Sequence, residues 1–210
     1  MAKWRSAQWA VFVLLIFHLV GFLGISSQYQ SLFLRLTPFN LLLTAGLLFW
    51  QQLTERKALR NFFVFALLIG FIAEMIGVQT GFPFGDYQYG DALGPKVWGT
   101  PLVIGVNWFI VAIGARSLAE RLFRIRAFQI FGAALLMVGL DFLIEPVAIQ
   151  IDFWTWDGGS IPWQNYAGWL GLGLLMQGAY FYWIPKTENP LALPVLGVQT
   201  LFFTALFLTL

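Results

Sequence analysis

The stretch NFFVFALLIGFIAEMIGV, residues 61–78, is apolar and long enough to cross a bilayer as a helix, which takes roughly 20 residues. It contains one carboxylate, Glu74, near its end. The chain then changes abruptly to TGFPFGDYQYG, residues 80–90, where glycines, aromatic rings and an aspartate follow one another. This contrast predicts a membrane-spanning helix that carries a buried acid and ends in an unusual connection.

Composition supports a membrane protein throughout. Of the 210 residues, 59% are hydrophobic and only 10% are charged, too few to surround a soluble core. Seven apolar runs lie near residues 8–25, 37–53, 61–78, 98–117, 126–148, 165–184 and 191–210. We therefore predict an all-α integral membrane protein, a single polytopic domain over residues 1–210 that forms a bundle of about seven transmembrane helices.

Basic residues fall almost entirely on one side of this predicted bundle. Alternate connections hold Lys3, Arg5, Arg56, Lys57, Arg60, Arg116, Arg121, Arg124, Arg126 and Lys186, whereas the other connections hold only Arg35 and Lys96. The positive-inside rule then places the N-terminus in the cytoplasm and the C-terminus outside, in a multi-pass protein of the cell membrane. Such short clusters are topology signals and do not indicate nucleic-acid binding. We expect the first run to be a retained helix, because its end lacks an A-x-A cleavage pattern.

In this orientation the unusual polar residues converge on the external half of the membrane. They are Glu74, the pair Asp141 and Glu145 in GLDFLIEP, and Asn107 at the start of the fourth run. Carboxylates at membrane depth cost about 2.5–3.5 kcal/mol each on insertion scales, so three at one level indicate a functional site. A hydrogen-bonded structural cluster is the alternative.

The i to i+4 spacing of Asp141 and Glu145 places both on one helix face. Burial, the neighbouring acid and the negative end of the helix dipole all disfavour a double charge, so we expect at least one to remain protonated and to serve as an acid. Pro146 predicts that the helix ends or kinks at Glu145.

The two external connections resemble each other. Glu74 precedes Asp86 by twelve residues, and Glu145 precedes Asp157 by twelve, in two aromatic-rich segments. This pattern suggests an internal repeat with a site between the copies, although interfacial aromatic belts produce similar clusters. Asp86 and Asp157 are expected to cap turns.

Missing residue types exclude several chemistries. There is no cysteine and a single histidine, His18, so thiolate metal sites and multi-histidine di-iron sites cannot form. No lysine lies in the seventh run to bind retinal, and His18 is expected to hydrogen-bond between helices. We expect neither a metal nor a cofactor. A buried acid among aromatic rings suits protonation of an alkene, which leads to hydration, isomerisation or cyclisation.

The segments AEMIGVQTGFPFGDYQYGDALGPKVWGTPLVIGVNW and LDFLIEPVAIQIDFWTWDGGSIPWQNYAGW, within residues 73–169, resemble a membrane carotenoid biosynthesis family. Its characterised members are carotenoid 1,2-hydratases and bisanhydrobacterioruberin hydratases. The resemblance implies a cofactor-independent hydro-lyase that adds water across the terminal 1,2 double bond of an acyclic ψ end group. It does not fix the substrate, for which lycopene and γ-carotene are the pigments to test. The expected partners are the carotenoid, water, the bilayer and other enzymes of the carotenoid pathway.

Chemical roles follow from this hypothesis. Asp141 or Glu145 would donate the proton, Glu74 would position or deprotonate the water, and Asn107 would orient the water or a carboxylate. The residues expected to surround the polyene end are Phe84, Tyr87, Tyr89, Trp108, Trp154, Trp156 and Trp163. A non-enzymatic carotenoid-binding protein or small-molecule transporter is the alternative, although a transporter should carry polar groups on both sides of the midplane.

Overall fold

The computed structural model describes residues 2–210, with side chains from Ser6 onward, so the side chains of Lys3 and Arg5 lie outside the described residues. Its long elements are helices, as predicted: α1 (Ala2–Ile25), α2 (Gln30–Arg35), α3 (Thr37–Gln51), α4 (Arg56–Thr80), α5 (Ile104–Leu122), α6 (Arg126–Gln150), α7 (Trp163–Trp183) and α8 (Ala192–Thr209). The all-α prediction is confirmed.

The seven predicted runs correspond to α1 and α3 to α8. Four segments are long and apolar enough to cross a membrane by themselves: Ser6–Ile25, Arg56–Thr80, Arg126–Gln150 and Ala192–Thr209. They make the chain a multi-pass membrane protein. In α5, Arg116, Glu120 and Arg121 lower the apolar character of the C-terminal half.

Helix α5 lies at the centre of the bundle. Almost every residue from Ile104 to Ala115 is buried, and its neighbours include α4, α6, α7 and α8. Gly105 allows the closest approach, since a Cβ there would lie 2.3 Å from the Leu67 carbonyl oxygen of α4. This packing holds Trp108, near the start of α5, fully buried, whereas the neighbouring Asn107 is half-buried.

Two expectations about helix ends are wrong. The fourth run was predicted to be helical from residue 98, but α5 begins at Ile104. Trp98 and Gly99 adopt positive φ angles of 49° and 78°, which turn the chain into a hairpin of β2 (Lys96–Val97) and β3 (Thr100–Pro101). Helix α6 does not end at Glu145 but continues through Pro146 to Gln150, and a kink at Pro146 stays a prediction.

Tertiary packing explains why α6 tolerates Pro146. The proline removes one backbone donor from the helix. However, Ile144, Glu145, Val147 and Ala148 around it are all buried against the rest of the bundle, and this burial holds the segment helical.

Arg116, assigned above to a cytoplasmic connection, lies fully buried within α5 instead. Its Nε donates to Glu120 at 2.8 Å, and its Nη2 donates to Gln129 at 3.3 Å. Glu120 also accepts from the backbone N–H of Thr187. Arg116 therefore joins α5, α6 and the segment after α7, and is not a loop charge.

The two aromatic connections meet in a short antiparallel ribbon. Strand β1 (Tyr87–Tyr89) pairs with β4 (Trp154–Trp156) so that Tyr87 lies opposite Trp156 and Tyr89 opposite Trp154. Burial alternates along β1, with both tyrosines inward and Gln88 outward. The ribbon therefore presents a row of rings to the ends of the helices.

The glycine-rich turn before β1 determines where the ribbon lies. Gly81 ends α4 with φ 72°, a left-handed conformation that glycine adopts without strain. The neighbouring Asp86 accepts a backbone hydrogen bond from Asp157 at 2.9 Å through its carbonyl oxygen. Within the described residues neither aspartate side chain makes a hydrogen bond, so the expected turn caps are not formed.

Candidate active site

Glu74 of α4 is enclosed by three hydrogen-bond donors. Tyr87 and Tyr89 of β1 donate their hydroxyls to its Oε2 at 2.5 and 2.7 Å, and the indole of Trp108 donates to its Oε1 at 2.9 Å. The carboxyl group is 5% exposed. Both of its oxygens therefore act as acceptors, as a carboxylate requires.

Glycines on α4 make room for these donors. A Cβ at Gly77 would lie 2.9 Å from the Tyr87 hydroxyl, and one at Gly70 would lie 2.7 Å from the Trp108 ring. Each glycine is within one turn of Glu74 on the same helix. Their lack of side chains lets both rings reach the acid.

Asp141 and Glu145 of α6 share a single amide. Asn165 Nδ2 donates to Asp141 Oδ2 at 2.8 Å and to Glu145 Oε1 at 3.1 Å. All three side chains are at most 2% exposed. This geometry confirms that the two acids lie on one face of the helix.

Glu145 and Asp141 differ in how fully they are bonded. Glu145 Oε2 accepts from both indoles of β4, Trp154 at 3.0 Å and Trp156 at 2.8 Å, in addition to the amide. Asp141 accepts only from Asn165, and its Oδ1 makes no hydrogen bond to any described residue. Of the three acids, Asp141 is the one with an uncommitted oxygen.

The tyrosines on β1 remain protonated donors. Burial, followed by the nearby Glu74 carboxyl, raises the pKa of Tyr87 and of Tyr89 far above the ordinary value for tyrosine. Their hydroxyl hydrogens are therefore retained at any physiological pH and point to Glu74.

Stacked rings form the floor of the site. The indoles of Trp108 and Trp169 stack with centroids 4.0 Å apart, and Phe84 stacks on the other side of Trp108 at 6.3 Å. These rings join α5, α7 and the turn after α4. Electron-rich faces thus lie directly beside the acids.

The acids line one small cavity of about 30 Å³, which is enough space for a water molecule. Its lining is Glu74, Phe84, Tyr87, Tyr89, Ile104, Asn107, Asp141, Ile144, Glu145, Trp154, Trp156, Asn165 and Trp169. We call it the acid pocket. Four helices, α4 to α7, and both strands of the ribbon line this pocket, and α4 and α6 bring all three carboxyl groups to it.

A larger, mostly apolar cavity of about 270 Å³ adjoins the acid pocket. It lies among α1, α2, α3, α5, α6 and α8, and Phe17, Phe33, Phe39 and Phe202 are among its apolar lining residues. Ile104, Asn107, Ile144 and Trp154 line both spaces. A hydrocarbon chain in the apolar cavity would therefore contact residues that also line the acid pocket.

The structure assembles most of the residues expected in the site. The three acids, Asn107, Phe84, both tyrosines, Trp154 and Trp156 line the acid pocket, and Trp108 binds Glu74 just behind it. Trp163 lies elsewhere, 84% exposed and packed against Tyr166. Asn107 makes no side-chain hydrogen bond to a described residue. His18 bonds to Leu14 of its own helix and does not link two helices.

Sequence reasoning missed two residues, Asn165 and Trp169. Asn165 provides the amide between the two acids of α6, and Trp169 stacks on Trp108. The one available signal was that Asn165 is one of two adjacent polar residues among the rings at the start of this helix. In residues 6–210, no three His, Asp or Glu side chains are grouped closely enough to hold a metal ion.

The suggested repeat has a structural counterpart. Each strand of the ribbon provides two ring donors to the acid of the helix before it: β1 to Glu74 and β4 to Glu145. The site lies between these two helix and strand units.

Fold and site together define a polytopic helical membrane protein with a buried carboxyl cluster beside an apolar cavity. Residues 34–210 match the family described as carotenoid biosynthesis protein, and the chain belongs to that family. The expected family resemblance is thereby confirmed.

A curated relative is the bisanhydrobacterioruberin hydratase of Haloarcula japonica. It is 34% identical over 105 residues, which cover 46% of this chain and 36% of the relative. The match thus spans about a third of the relative's length. No solved structure matches the chain.

Proposed function

We propose that the protein is a carotenoid hydratase, a hydro-lyase that adds water across the terminal 1,2 double bond of an acyclic ψ end group. The product would be a tertiary 1-hydroxy carotenoid, with lycopene or γ-carotene as substrate. The proposal is supported by family membership, by the relative named as a hydratase and by the arrangement of acids and cavities.

One observation carries the proposal: Asp141 has a free oxygen in a pocket that shares a wall with an apolar cavity. The larger cavity suits the end of a polyene, and the smaller one suits a water molecule. Ile144 and Asn107 lie where the two spaces meet. An alkene and a water molecule can therefore be held side by side, close to an acid.

In the proposed reaction Asp141 is the proton donor. Its Oδ2 accepts from Asn165, which leaves Oδ1 to hold the hydrogen. Transfer of this proton to the less substituted alkene carbon leaves a cation on the tertiary carbon. The rings of Phe84 and Trp169, which line the acid pocket, stabilise positive charge nearby.

Water then attacks the tertiary carbon and gives up a proton. We assign the acceptance of this proton to Glu74, to which the hydroxyl of Tyr87 or Tyr89 relays it. Asn107 is assigned the positioning of the water. Return of a proton to Asp141 through the pocket water restores the starting state. The net change is addition of one water, so no oxidant, reductant or cofactor is required.

We also propose that all seven long helices span the cell membrane, with the N-terminus in the cytoplasm, the C-terminus outside and the site in the external half. The distribution of Arg and Lys between alternate connections supports this orientation. Other enzymes of the carotenoid pathway are proposed as partners that supply the substrate within the membrane.

Expression in cells that accumulate lycopene or γ-carotene, followed by chromatography of the pigments, tests the proposal. The expected product is a more polar pigment whose hydroxyl oxygen comes from labelled water. An unchanged pool, together with no activity on an acyclic C50 carotenoid, would contradict it. A carotenoid-binding protein without activity would retain pigment and would be indifferent to Asp141→Asn.

A further inference from the structure

The apolar cavity is lined by some polar side chains, to which its hydrocarbon walls cannot offer hydrogen bonds. Besides Asn107 and Thr37, they include His18 from α1, Asn40 from α3 and Gln199 from α8. None of these three lines the acid pocket. They therefore have no part in the reaction proposed above.

Gln199 is the clearest case. Its side chain is 5% exposed, it lines the cavity, and its amide makes no hydrogen bond to any described residue. Asn40 Oδ1 is also enclosed without a partner in the described part of the chain. A buried amide without partners has lost the hydrogen bonds that water would give it. Both groups are therefore poorly suited to a pure hydrocarbon.

His18 adds an acceptor. Its Nδ1 lies 2.8 Å from the Leu14 carbonyl oxygen, and because a carbonyl only accepts, Nδ1 carries the hydrogen. In the neutral ring, Nε2 is then left with a lone pair. The ring packs edge-on against Phe202, one turn from Gln199 on α8. Amide donors and a nitrogen acceptor thus line one cavity.

We propose that His18, Asn40 and Gln199 form a second polar subsite, which binds a hydroxyl or carbonyl oxygen near the reacting end of the ligand. The chemical class that fits is an isoprenoid that bears both an isolated trisubstituted alkene and an oxygen substituent. A hydroxyl group can accept from the amide nitrogens and donate to His18 Nε2, whereas both amide oxygens are enclosed by protein. The inference rests on the proposed function only in taking the apolar cavity as the place of the alkene chain, and it puts an oxygen-bearing isoprenoid in place of the hydrocarbons lycopene and γ-carotene as the preferred ligand.

Binding of a matched pair of small alkenes tests the subsite. Linalool and β-citronellene share one carbon skeleton and one trisubstituted alkene, and differ by a hydroxyl in place of hydrogen. Tritium-labelled forms would be measured on the full-length protein in nanodiscs, after correction for partition into empty nanodiscs. The wild type is expected to bind linalool about tenfold more tightly.

Substitutions in the proposed subsite show which residues cause the preference for linalool. Gln199→Leu should abolish it by weakening linalool binding while leaving β-citronellene binding intact, and Asn40→Leu should reduce it. Thr200→Val is the matched control on α8, because Thr200 bonds to its own helix and lines a different groove. It should keep the wild-type ratio.

Equal binding of both ligands by the wild type would overturn the inference. An equal loss for both ligands in Gln199→Leu would also overturn it, since the amide would then be structural or bound to water. If Gln199→Leu does not fold, the ratio of linalool to β-citronellene binding in Asn40→Leu provides the test. These ratios require no turnover, so a failure of pigment hydration in cells would count against the proposed function alone.

Discussion

Tyr87 and Trp156 lie opposite each other in the ribbon, with ring centroids 5.0 Å apart, and each donates a hydrogen bond to a different buried acid. The Tyr87 hydroxyl binds Glu74 of α4, and the Trp156 indole binds Glu145 of α6. One pair of short strands therefore fixes two carboxyl groups on two helices. Changes in either strand are expected to affect the whole site.

Replacing the proposed proton donor should stop the reaction. Asp141→Asn keeps the shape of the side chain but removes the acid, and we expect hydration to fall by a factor of about 10² to 10⁴. The measurement is turnover of purified protein, quantified by pigment chromatography. Asp157→Asn, at an exposed position after β4, is the matched control and should keep full turnover. Full activity in Asp141→Asn would move the donor role to Glu145.

The shared amide should matter as a positioning group. Asn165→Leu is similar in size but removes both donors from Asp141 and Glu145, so turnover should drop at least about tenfold. Gln164→Leu removes the neighbouring amide, which bonds to the Gly81 carbonyl oxygen and to neither acid, and it should lower turnover less than Asn165→Leu does. Comparable losses in the two variants would show that the helix start, and not the amide, is responsible.

The indole donors should contribute to stability. Trp156→Phe keeps a ring on β4 but leaves Glu145 without one donor, and a hydrogen bond to a charged group is worth about 1.5–3 kcal/mol. We expect the free energy of unfolding in detergent to fall by that amount. Trp163→Phe, at a ring that is 84% exposed, should have no measurable effect. An unchanged free energy of unfolding in Trp156→Phe would mean that water replaces the indole as a donor to Glu145.

A bulkier side chain at the boundary of the two cavities should abolish activity without affecting folding. Ile144 is 6% exposed and lines both spaces, so Ile144→Phe places a ring where the alkene would meet the acid. Turnover should be lost while expression and unfolding temperature stay close to the wild type. Leu143→Phe, the adjacent residue on a different groove, should remain active. Normal turnover in Ile144→Phe would argue against this route.

The glycine beneath Tyr87 provides a purely steric test. A Cβ in Gly77→Ala would lie 2.9 Å from both the Phe84 ring and the Tyr87 hydroxyl, which would displace the donor from Glu74. We expect loss of turnover and of stability. Gly139→Ala on α6 has no atom within 4 Å and should be neutral or stabilising by up to about 1 kcal/mol. A stable, active Gly77→Ala would show that the ring moves freely.

Local patterns in the sequence were enough to locate the helices and the acids. Hydropathy is a property of a window, so the seven runs fall on the seven long helices. The spacing of Asp141 and Glu145 follows directly from 3.6 residues per turn. The aromatic segments were recognisable as parts of the site because they directly follow helices that carry acids.

Contacts between segments far apart in the sequence could not be predicted from local patterns. The pairing of residues 87–89 with 154–156 decides which ring bonds to which acid, and no local pattern encodes it. Asn165 reaches the acids only because α7 packs on α6. In the sequence Trp163 resembles the rings of the site, yet its position on the helix leaves it exposed.

The apolar cavity is partly lined by residues that also face outward, since Val20 is 48% and Phe39 is 56% exposed. The acids lie instead beneath the ribbon. Under the proposed function, the two reactants would dissolve in different phases: the pigment in lipid and the water outside it. The reaction would then follow surface-dilution kinetics. Adding inert phospholipid at constant protein and pigment would slow it, because the relevant concentration is pigment per lipid.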